Sequence, residues 1–512
     1  MRKIKKALIS LSDKSGLKKI LINLKKYKIE IISSGGTYKE IKKLGYNCTE
    51  VSNFTGSPEI LNGRVKTLHP KIHAGILSIR NKKSHKKDLK KNKFQEIDLV
   101  IVNFYPFEKI INETRNHKKI IENIDIGGPT LVRAAAKNYN YVTVITNLNQ
   151  YNELIDELNE NKGSTNIKFR KKMSEIAFSE TGYYDSLITN YFNKISNNTF
   201  PNKKLIAGNL VEKLRYGENP HQYGAVYSLS NKSRINQING KQLSYNNLND
   251  TFSALTLSKT LPKNIGTVIV KHANPCGVSI NKNKQVSFKL ALNSDPISAF
   301  GGIVACNFKV DKKTAVEMNK IFLEVVIGNG FEKKALNILK RKKNLRIVDS
   351  SNINIDDIQN FSSNFNSILL QTTDLKKFTE RDFKVVSKIK PTTVMMKNLI
   401  FAFNVSRFVK SNAIVLVKEK STVGIGSGQP SRVDSCKIAV NKMKQFNNNN
   451  GQNIIAASDA FFPFVDGIEY LVQSGVSAVV QPSGSIRDKE IINFANKTGT
   501  ILVFSKTRHF RH

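Results

Sequence analysis

The chain has 512 residues, of which 40% are hydrophobic, so it is long enough to form two to four domains with their own cores. It has 81 Lys and Arg against 40 Asp and Glu, a formal net charge of +41. The sequence has no apolar run of about 18 residues and no CxxC pair among its four cysteines, which argues against a transmembrane helix, a zinc site and a disulfide framework. The basic start has only a short apolar run, so we expect no signal peptide and a cytoplasmic location.

Residues 1–195 alternate short apolar strands with helical patterns. This alternation predicts a parallel sheet covered by helices. Helices are predicted after residues 12–17 and 34–37, over Thr130–Lys137 with Pro129 in the first turn, and from about residue 170 to Phe192. Strands are predicted over Lys6–Leu11, Glu30–Ser33, Asp98–Asn103 and Tyr141–Ile145.

Three loops that follow these strands or open these helices carry glycine and small hydroxyl residues. Glycine lets backbone N–H groups approach an anion, and a helix N-terminus favours negative charge. None of the loops is a P-loop or a GxGxxG motif, and an ordinary turn explains any one of them alone. Together they predict a phosphate site. The loops contain Ser12 with Lys14, Ser34-Gly35-Gly36-Thr37, and Asp125-Ile126-Gly127-Gly128-Pro129-Thr130.

The segment from Asn62 to Pro70 adds two cations, Arg64 and Lys66, which a period of two places on one face of an extended strand. Two cations on one face suit a phosphorylated or oxyanionic substrate. His69 and His73 have the spacing of metal ligands on a helix, but Pro70 and the lack of a third nearby ligand argue against a metal site.

A linker is predicted over residues 196–204, which are rich in Asn and carry Pro201. It separates a first domain, 1–195, from a second, larger α/β domain, 205–512. The Lys- and Asn-rich stretch 331–365 divides the second domain or forms a surface excursion, so two subdomains are expected with their division near 331–380. No sequence repeat is evident.

In the second domain the apolar run Thr267–Val270 stops at Lys271, His272 and Asn274, and we expect Pro275 and Gly277 to turn the chain there. Ligands of α/β proteins bind beyond the carboxyl ends of strands. His272 suits proton transfer, and Lys271 suits stabilisation of an oxyanion. The alternative is a strand end with two solvated polar residues.

The positive charge raises nucleic acid as a partner, but its distribution argues otherwise. Lysines occur along the whole chain, and codon bias towards Lys, Asn and Ile explains many of them. The densest basic stretches, 81–93 and 340–343, contain no interleaved aromatic residues of the kind that bind single strands. We therefore expect no nucleic-acid function, although the field can attract small anionic substrates.

Eight motifs in chain order together resemble one family, the bifunctional AICAR transformylase/IMP cyclohydrolases of purine biosynthesis. The resemblance runs from about residue 5 to the last residue. The motifs are Gly63–Pro70, Ile124–Thr130 with Arg133–Lys137, Leu214–His221, Val270–Gly277, Ser294–Gly302, Gly424–Arg432, Ala457–Phe464 and Arg508–His512.

The resemblance implies a methylglyoxal-synthase-like three-layer α/β domain at the N-terminus and two cytidine-deaminase-like α/β subdomains without zinc at the C-terminus. It implies a cytosolic homodimer that acts on nucleotide and folate substrates without a metal. As a transferase, the enzyme moves a formyl group from 10-formyltetrahydrofolate to AICAR. As a cyclohydrolase, it closes formyl-AICAR to IMP with loss of water.

The resemblance also implies residue roles. In formyl transfer His272 handles the proton, Lys271 assists it and Asn412 aligns the reacting groups. In cyclisation Lys66 and Tyr105 form the reacting core, with Asp125 and Lys137 nearby. The residues implied to bind substrate are Ser12, Lys14, Ser34, Gly36, Thr37, Arg64, Thr67 and Gly127 in the first domain, and Arg215, Tyr216, Arg432, Asp466 and Arg508 in the second.

Three places depart from the family pattern: Gly328-Asn329, Asn366-Ser367 and Phe403, which stands where a Trp is usual. We expect effects on loop packing or folate affinity there, and none on the reacting groups. An enzyme that has kept one activity only is the remaining alternative, and the presence of both motif sets argues against it.

Overall fold

The structure is a computed structural model that describes residues 1–229, 235–355, 359–447 and 453–512. The chain forms two compact units, Met1–Gly208 and Asn209–His512. No helix in these described ranges is long and apolar enough to cross a membrane.

Unit 1 is built on a five-stranded sheet in the order β4-β3-β2-β5-β6, and every neighbouring pair is parallel. A short antiparallel pair, β1 with β7, lies outside it. The strands are β1 Arg2–Lys3, β2 Lys6–Leu11, β3 Glu30–Ser33, β4 Thr49–Glu50, β5 Leu99–Asn103, β6 Thr143–Ile145 and β7 Ser164–Thr165. The helices are α1 Leu17–Lys26, α2 Gly35–Lys43, α3 Val51–Thr55, α4 Pro70–Leu77, α5 Lys83–Lys91, α6 Phe107–Glu113, α7 His117–Glu122, α8 Gly127–Lys137, α9 Tyr151–Glu160 and α10 Ile167–Ile195.

The predicted parallel sheet is confirmed. β2 and β3 have the predicted bounds. β5 begins one residue later than predicted and β6 two residues later. Helix α1 buries Leu17, Ile20, Leu21 and Leu24, which is the i, i+3, i+4, i+7 stripe of a helix on a core. Helix α8 begins at Gly127 rather than Thr130, so its first turn starts three residues earlier than predicted.

The described residues of unit 2 form one twelve-stranded mixed sheet and two separate hairpins, β8–β9 and β16–β17. The strand order in the large sheet is β10-β15-β14-β13-β11-β12-β20-β19-β21-β22-β23-β18. The strands are β8 Asn209–Leu214, β9 Gly224–Ser228, β10 Asn236–Asn239, β11 Gly266–Lys271, β12 Asn274–Ile280, β13 Gly302–Cys306, β14 Leu323–Gly328, β15 Arg346–Asp349, β16 Gln359–Asn364, β17 Ser367–Thr372, β18 Phe383–Val385, β19 Ile414–Lys418, β20 Ser421–Gly426, β21 Ile454–Ser458, β22 Val476–Pro482 and β23 Ile501–Ser505. The helices are α11 Tyr245–Thr260, α12 Lys284–Ser294, α13 Pro296–Ala299, α14 Lys312–Asn319, α15 Lys333–Leu339, α16 Thr393–Ser406, α17 Arg432–Phe446, α18 Val465–Gln473 and α19 Asp488–Thr498.

The large sheet consists of two halves with the same topology. In each half a helix leads into an antiparallel hairpin, β11–β12 or β19–β20, and the first hairpin strand also pairs with the first of three parallel strands. Each half ends at an antiparallel edge strand, β10 or β18. The hairpin strands β12 and β20 join the halves. The sequence did not reveal this repeat.

Close helix packing recurs in both halves. A Cβ at Gly277 on β12 would lie 1.9 Å from the carbonyl oxygen of Ala291, and one at Gly424 on β20 would lie 2.1 Å from that of Ala439. Only glycine lets α12 and α17 approach the sheet this closely.

The expectation that Pro275 and Gly277 turn the chain is wrong. Both lie within β12, and the turn consists of His272 and Ala273, whose φ angles are 53° and 58°. Two consecutive positive φ angles are typical of a two-residue hairpin turn. His272 still follows the carboxyl end of a strand, but the site is a hairpin tip because β11 is antiparallel to both of its neighbours.

The stretch 331–365 contains α15, β15, all of β16 and the first turn residue of the β16–β17 hairpin, and residues 356–358 in it lie outside the described ranges. The proposed division of the second domain in this region stays a prediction.

Candidate functional site

In unit 1 the carboxyl ends of β2, β3 and β5 meet at one edge of the sheet, because the three strands are parallel neighbours. Asn103 closes β5, and its Oδ1 accepts the amides of Ser12 at 2.7 Å and Asp13 at 3.1 Å. Its Nδ2 donates to the Asp13 carbonyl at 2.7 Å. Asn103 therefore fixes the loop that carries Ser12 and Lys14.

Two ammonium groups lie over the first turn of α2, whose residues Ser34, Gly35 and Gly36 were predicted to bind an anion. The Lys66 Nζ is 3.3 Å from the position of a Cβ on Gly35, and the Lys14 Nζ is 3.7 Å from that of one on Gly36. The first N–H groups of a helix have no intrahelical partner. Backbone donors and two cations thus converge at the predicted phosphate site.

The predicted strand through Arg64 and Lys66 is wrong. Residues 61–63 form a 3₁₀ turn, and Arg64 follows it in a helical conformation. The two cations bind different carboxylates: Arg64 pairs with Glu122 through an exposed side chain, and the Lys66 Nζ is 2.9 Å from the Glu59 Oε1. Lys66 and Glu59 line a cleft of about 230 Å³ together with Ser34.

The two threonines predicted to bind substrate are buried, and one is committed to the backbone. The Thr37 hydroxyl donates to the Leu11 carbonyl at 3.0 Å and accepts the Leu11 amide at 2.9 Å. The Thr67 Oγ1 is 2.9 Å from the position of a Cβ on Gly127, so Thr67 joins the Lys66 loop to the start of α8. The Thr37 hydroxyl is therefore engaged by the backbone, which leaves its amide for a ligand, whereas Thr67 lies between two predicted binding segments.

Asp125 lies just before α8, and its carboxylate accepts the Gly128 amide at 2.8 Å. Burial raises the pKa of Asp125 above its ordinary value, while the amides of Gly128 and Tyr105 favour its charged form. A Cβ on Gly128 would lie 2.4 Å from the Asp125 Oδ2, so a larger residue there would displace the carboxylate. The Tyr105 side chain is 44% exposed and available to a ligand.

The structure does not bring Lys137 to Asp125. Lys137 is the last residue of the 11-residue helix α8, and Asp125 precedes its first residue. At a rise of about 1.5 Å per residue, the two ends lie roughly 15 Å apart. Lys137 is exposed at the far end.

In unit 2 the His272 side chain is exposed at the hairpin tip, and Lys271 is half-buried beside it. The Lys271 Nζ donates to the carbonyls of Gly301 at 3.0 Å and Phe300 at 3.3 Å. An ammonium group has three N–H donors, so one remains for a ligand. Asp250 on α11 accepts the amides of Ala273 at 2.7 Å and His272 at 3.2 Å.

The segment that contains Asn412 is tied to this hairpin tip. The Asn274 Oδ1 accepts the Lys410 amide at 3.0 Å. The Asn412 Nδ2 donates to the carbonyls of Gln429 and Pro430, both at 2.9 Å, and its Oδ1 accepts from the Arg432 guanidinium at 2.7 Å. The same nitrogen of Arg432 is 2.9 Å from the buried Asp459 Oδ1. Asn412 and Arg432 therefore bind each other and the loop around them.

The remaining predicted residues of unit 2 lie on three further segments. Arg215 and Tyr216 follow β8, with the Arg215 guanidinium 5.7 Å from the Tyr216 ring. Asp466 is exposed in the first turn of α18. Arg508 is exposed and precedes His509, whose amide donates to the Asp459 carbonyl at 2.9 Å. The backbone next to Arg508 is thus tied to Asp459, the partner of Arg432, while no hydrogen bond or ion pair among the described residues joins Asp466 to this group.

Two family models match the chain, an MGS-like domain over residues 16–130 and the AICARFT/IMPCHase bienzyme over residues 135–442. The chain belongs to the AICARFT/IMPCHase bienzyme family. It is similar to proteins named "Bifunctional purine biosynthesis protein PurH", at 42% identity in Bradyrhizobium diazoefficiens, with 100% of this chain and 99% of the relative covered. The proteins of the same name in Caldicellulosiruptor saccharolyticus and Persephonella marina are each 44% identical to it, with 99% of this chain and 100% of the relative covered. The predicted family, fold class and bifunctional purine-biosynthesis activity are confirmed.

Of the three departures from the family pattern, Phe403 touches a group described above, because it packs against His509. Phe403 is fully buried and packs against Phe378, Phe383 and His509, with ring centroids 4.9 to 5.5 Å apart. Gly328 is buried in β14, and Asn366 is at the tip of the β16–β17 hairpin.

Sequence reasoning missed Asn103, Glu59, Asp250 and Asp459 as members of these two sites. Asn103 follows a buried strand, so the rule that selected Ser12 and Ser34 could have found it. Asp250 lies within α11, and nothing in the local sequence indicates that its carboxylate reaches the hairpin tip.

Proposed function

We propose that unit 2 transfers the formyl group and that 10-formyltetrahydrofolate is the donor. The observation that carries this assignment is the exposed His272 imidazole at the hairpin tip beside a Lys271 ammonium with one free donor. The AICAR 5-amino group forms a bond to the formyl carbon, and His272 takes its proton. Lys271 stabilises the tetrahedral oxyanion. The bond from the formyl carbon to the folate nitrogen then breaks, and His272 returns the proton to that nitrogen, so that tetrahydrofolate leaves. Asn412 and Arg432 act by shaping the loop around the reacting groups.

We infer that Arg215, Tyr216 and Arg508 hold the nucleotide in unit 2, and that Asp466 contacts the folate ring. Arg215 and Arg508 are exposed cations that can pair with phosphate. A carboxylate such as Asp466 suits a ring edge that carries several donors.

We propose that unit 1 closes formyl-AICAR to IMP. The nucleotide phosphate occupies the first turn of α2, where Lys14 and the amides of the Ser34–Thr37 loop converge. The carboxamide nitrogen attacks the formyl carbon, and the formyl oxygen leaves as water. Lys66 and Tyr105 face this step, Asp125 handles a proton, and Thr67, Gly127 and Arg64 complete the binding loop. The role of Lys137 stays a prediction from the resemblance.

A spectrophotometric assay with AICAR and 10-formyltetrahydrofolate, in metal-free buffer, tests both assignments. Tetrahydrofolate and IMP are the expected products. Accumulation of formyl-AICAR would contradict the assignment of cyclisation to unit 1. Absence of folate turnover by the folded protein would overturn the assignment of unit 2.

Replacing Asp125 with asparagine is expected to stop cyclisation and to stabilise unit 1 at neutral pH. Burial raises the pKa of Asp125, so its charged form costs stability above that pKa, and the cost disappears below the unfolded value of about 3.9. Urea unfolding at pH 7 and near pH 4 checks the sign of this stability change. The amount by which the variant's free energy of unfolding exceeds the parent's should shrink as the pH falls. A variant less stable than the parent at pH 7 would contradict it.

We propose that the protein is a homodimer. The two separate hairpins of unit 2 expose apolar side chains, among them Tyr223, Tyr227, Phe361, Phe365 and Ile368. An isolated two-stranded hairpin is marginally stable in water, so we expect these apolar surfaces to be buried against another chain. A second copy of the chain is the partner that the resemblance implies.

The double change Phe365→Ser and Ile368→Ser is expected to shift the protein from dimer to monomer, because it removes apolar area from the β16–β17 hairpin. Light scattering with size-exclusion chromatography measures the mass. The matched control is Phe178→Ser with Ile195→Ser on α10, where both side chains are also exposed. A parent protein that is already monomeric would contradict the proposal.

We infer a cytoplasmic location with small-molecule substrates. The four cysteines are unpaired, and burial raises the pKa of Cys276 and Cys306 to about 12, which keeps these thiols neutral. Steeply salt-dependent binding to a DNA duplex would favour a nucleic-acid function instead.

A further inference from the structure

The two halves of the large sheet correspond residue by residue around their hairpins. The turn His272-Ala273 corresponds to Glu419-Lys420, which also has positive φ angles, of 48° and 59°. Both hairpins have a register shift at the same place, between Ile269 and Val270 in one and between Leu416 and Val417 in the other.

The preceding helices match in the same way. Helix α11 follows its N-cap Ser244 and α16 follows its N-cap Thr392, and each cap side chain accepts the amide of the third helical residue. Fourteen positions after the caps, by the numbering, Ser258 and Ser406 each donate to the carbonyl three residues earlier. Six positions after the caps stand Asp250 and Asn398.

Asp250 and Asn398 both accept hydrogen bonds from the backbone of their hairpin turns, but Asp250 accepts two and Asn398 accepts one. The Asn398 Oδ1 accepts the Lys420 amide at 3.1 Å. The Asp250 Oδ1 accepts the corresponding amide, that of Ala273, at 2.7 Å, and the Oδ2 accepts in addition the amide of His272 itself at 3.2 Å. In the second half, one hydrogen bond from a turn amide to Asn398 is enough to close the turn. The second hydrogen bond, to the Asp250 Oδ2, is therefore not needed to form the turn.

We propose that Asp250 is a positioning residue for formyl transfer, which fixes the backbone of His272 through the second carboxylate oxygen and so aims the imidazole at the AICAR amine. This inference rests on the proposed role of His272. Asp250 itself touches neither reactant. A displacement of a reacting group by about 1 Å can lower a rate by on the order of 10²-fold.

The test compares Asp250→Ala with Asn398→Ala in the full-length protein, with kcat and KM for AICAR, the cyclisation rate and the urea midpoint measured for each. Both changes remove a turn acceptor and are expected to lower the midpoint similarly. Only Asp250→Ala is expected to lower the kcat of formyl transfer, by on the order of 10²-fold, with KM for AICAR and cyclisation unchanged. Asp250→Asn is expected to fold, because asparagine closes the corresponding turn, and to recover part of kcat.

Equal kcat losses in the two alanine variants would overturn the inference and make Asp250 a purely structural residue. The inference would also be overturned if Asp250→Asn and Asp250→Ala, each measured separately, both had the kcat of the parent protein. If Asp250→Ala does not fold, Asp250→Asn decides alone, and a parental kcat rejects the positioning role. If the unaltered enzyme does not transfer the formyl group, the proposed function itself is refuted. Failure of the proposed function and failure of the positioning role are therefore distinguishable.

Discussion

Replacing His272 with alanine is expected to lower formyl transfer by about 10² to 10⁴-fold, the range that a positioned general base contributes. The imidazole is exposed at the tip of the β11–β12 hairpin, and the turn that carries it is held at two amides by Asp250. Removal of the ring leaves Lys271 and the binding residues in place, so KM for AICAR should change little. Initial rates of tetrahydrofolate formation measure the effect.

The matched control is Glu419→Ala, because Glu419 occupies the corresponding turn of the second half with a similar backbone conformation. Both activities should survive this change. Cyclisation of supplied formyl-AICAR should also survive His272→Ala. A His272→Ala enzyme that still transfers the formyl group at the parental rate would remove His272 from the mechanism.

Replacing Lys66 with alanine is expected to lower cyclisation by about 10² to 10³-fold, as removal of one preorganised electrostatic group does. The Lys66 ammonium lies over the first turn of α2 and is 2.9 Å from the Glu59 carboxylate. Its loss should leave formyl transfer intact, so formyl-AICAR should accumulate when AICAR and 10-formyltetrahydrofolate are supplied. Chromatography of the purine products at successive times distinguishes this outcome from slow transfer.

Lys109→Ala is the matched control for Lys66→Ala, because Lys109 also pairs with a glutamate in unit 1 but is 69% exposed on α6. It should leave IMP formation unchanged. Loss of both reactions in a folded Lys66→Ala or His272→Ala protein would contradict the assignment of one reaction to each unit.

Strong local patterns allowed much of unit 1 to be predicted from the sequence. The apolar runs of β2 and β3 are bounded by polar and glycine residues, and their predicted ends agree with the structure. The loops predicted to bind phosphate were found by the same rule, since parallel strands end at one edge of the sheet.

Contacts between distant segments explain what the sequence did not predict. Alternation of polar and apolar residues around Arg64 and Lys66 resembles a strand, but a 3₁₀ turn precedes Arg64, and the two cations pair with different carboxylates, those of Glu122 and Glu59. Pro275 and Gly277 are frequent turn residues, yet the β11–β12 register places both in a buried strand. Asp250 reaches the hairpin tip across 22 positions of the chain, beyond the range of any local pattern.

The pairing of β12 with β20 has a consequence for synthesis of the chain. At their junction Ser279 faces Ser421, 142 positions later, and the two hydroxyls are 2.7 Å apart. Until the ribosome has made β20, the β12 strand is an open edge, the kind of surface on which chains aggregate. The nascent first half therefore carries an unpaired edge to which another chain can pair, and another nascent first half presents the same free edge. Slow translation before β20 has left the ribosome should accordingly increase aggregation more than slow translation after it has emerged.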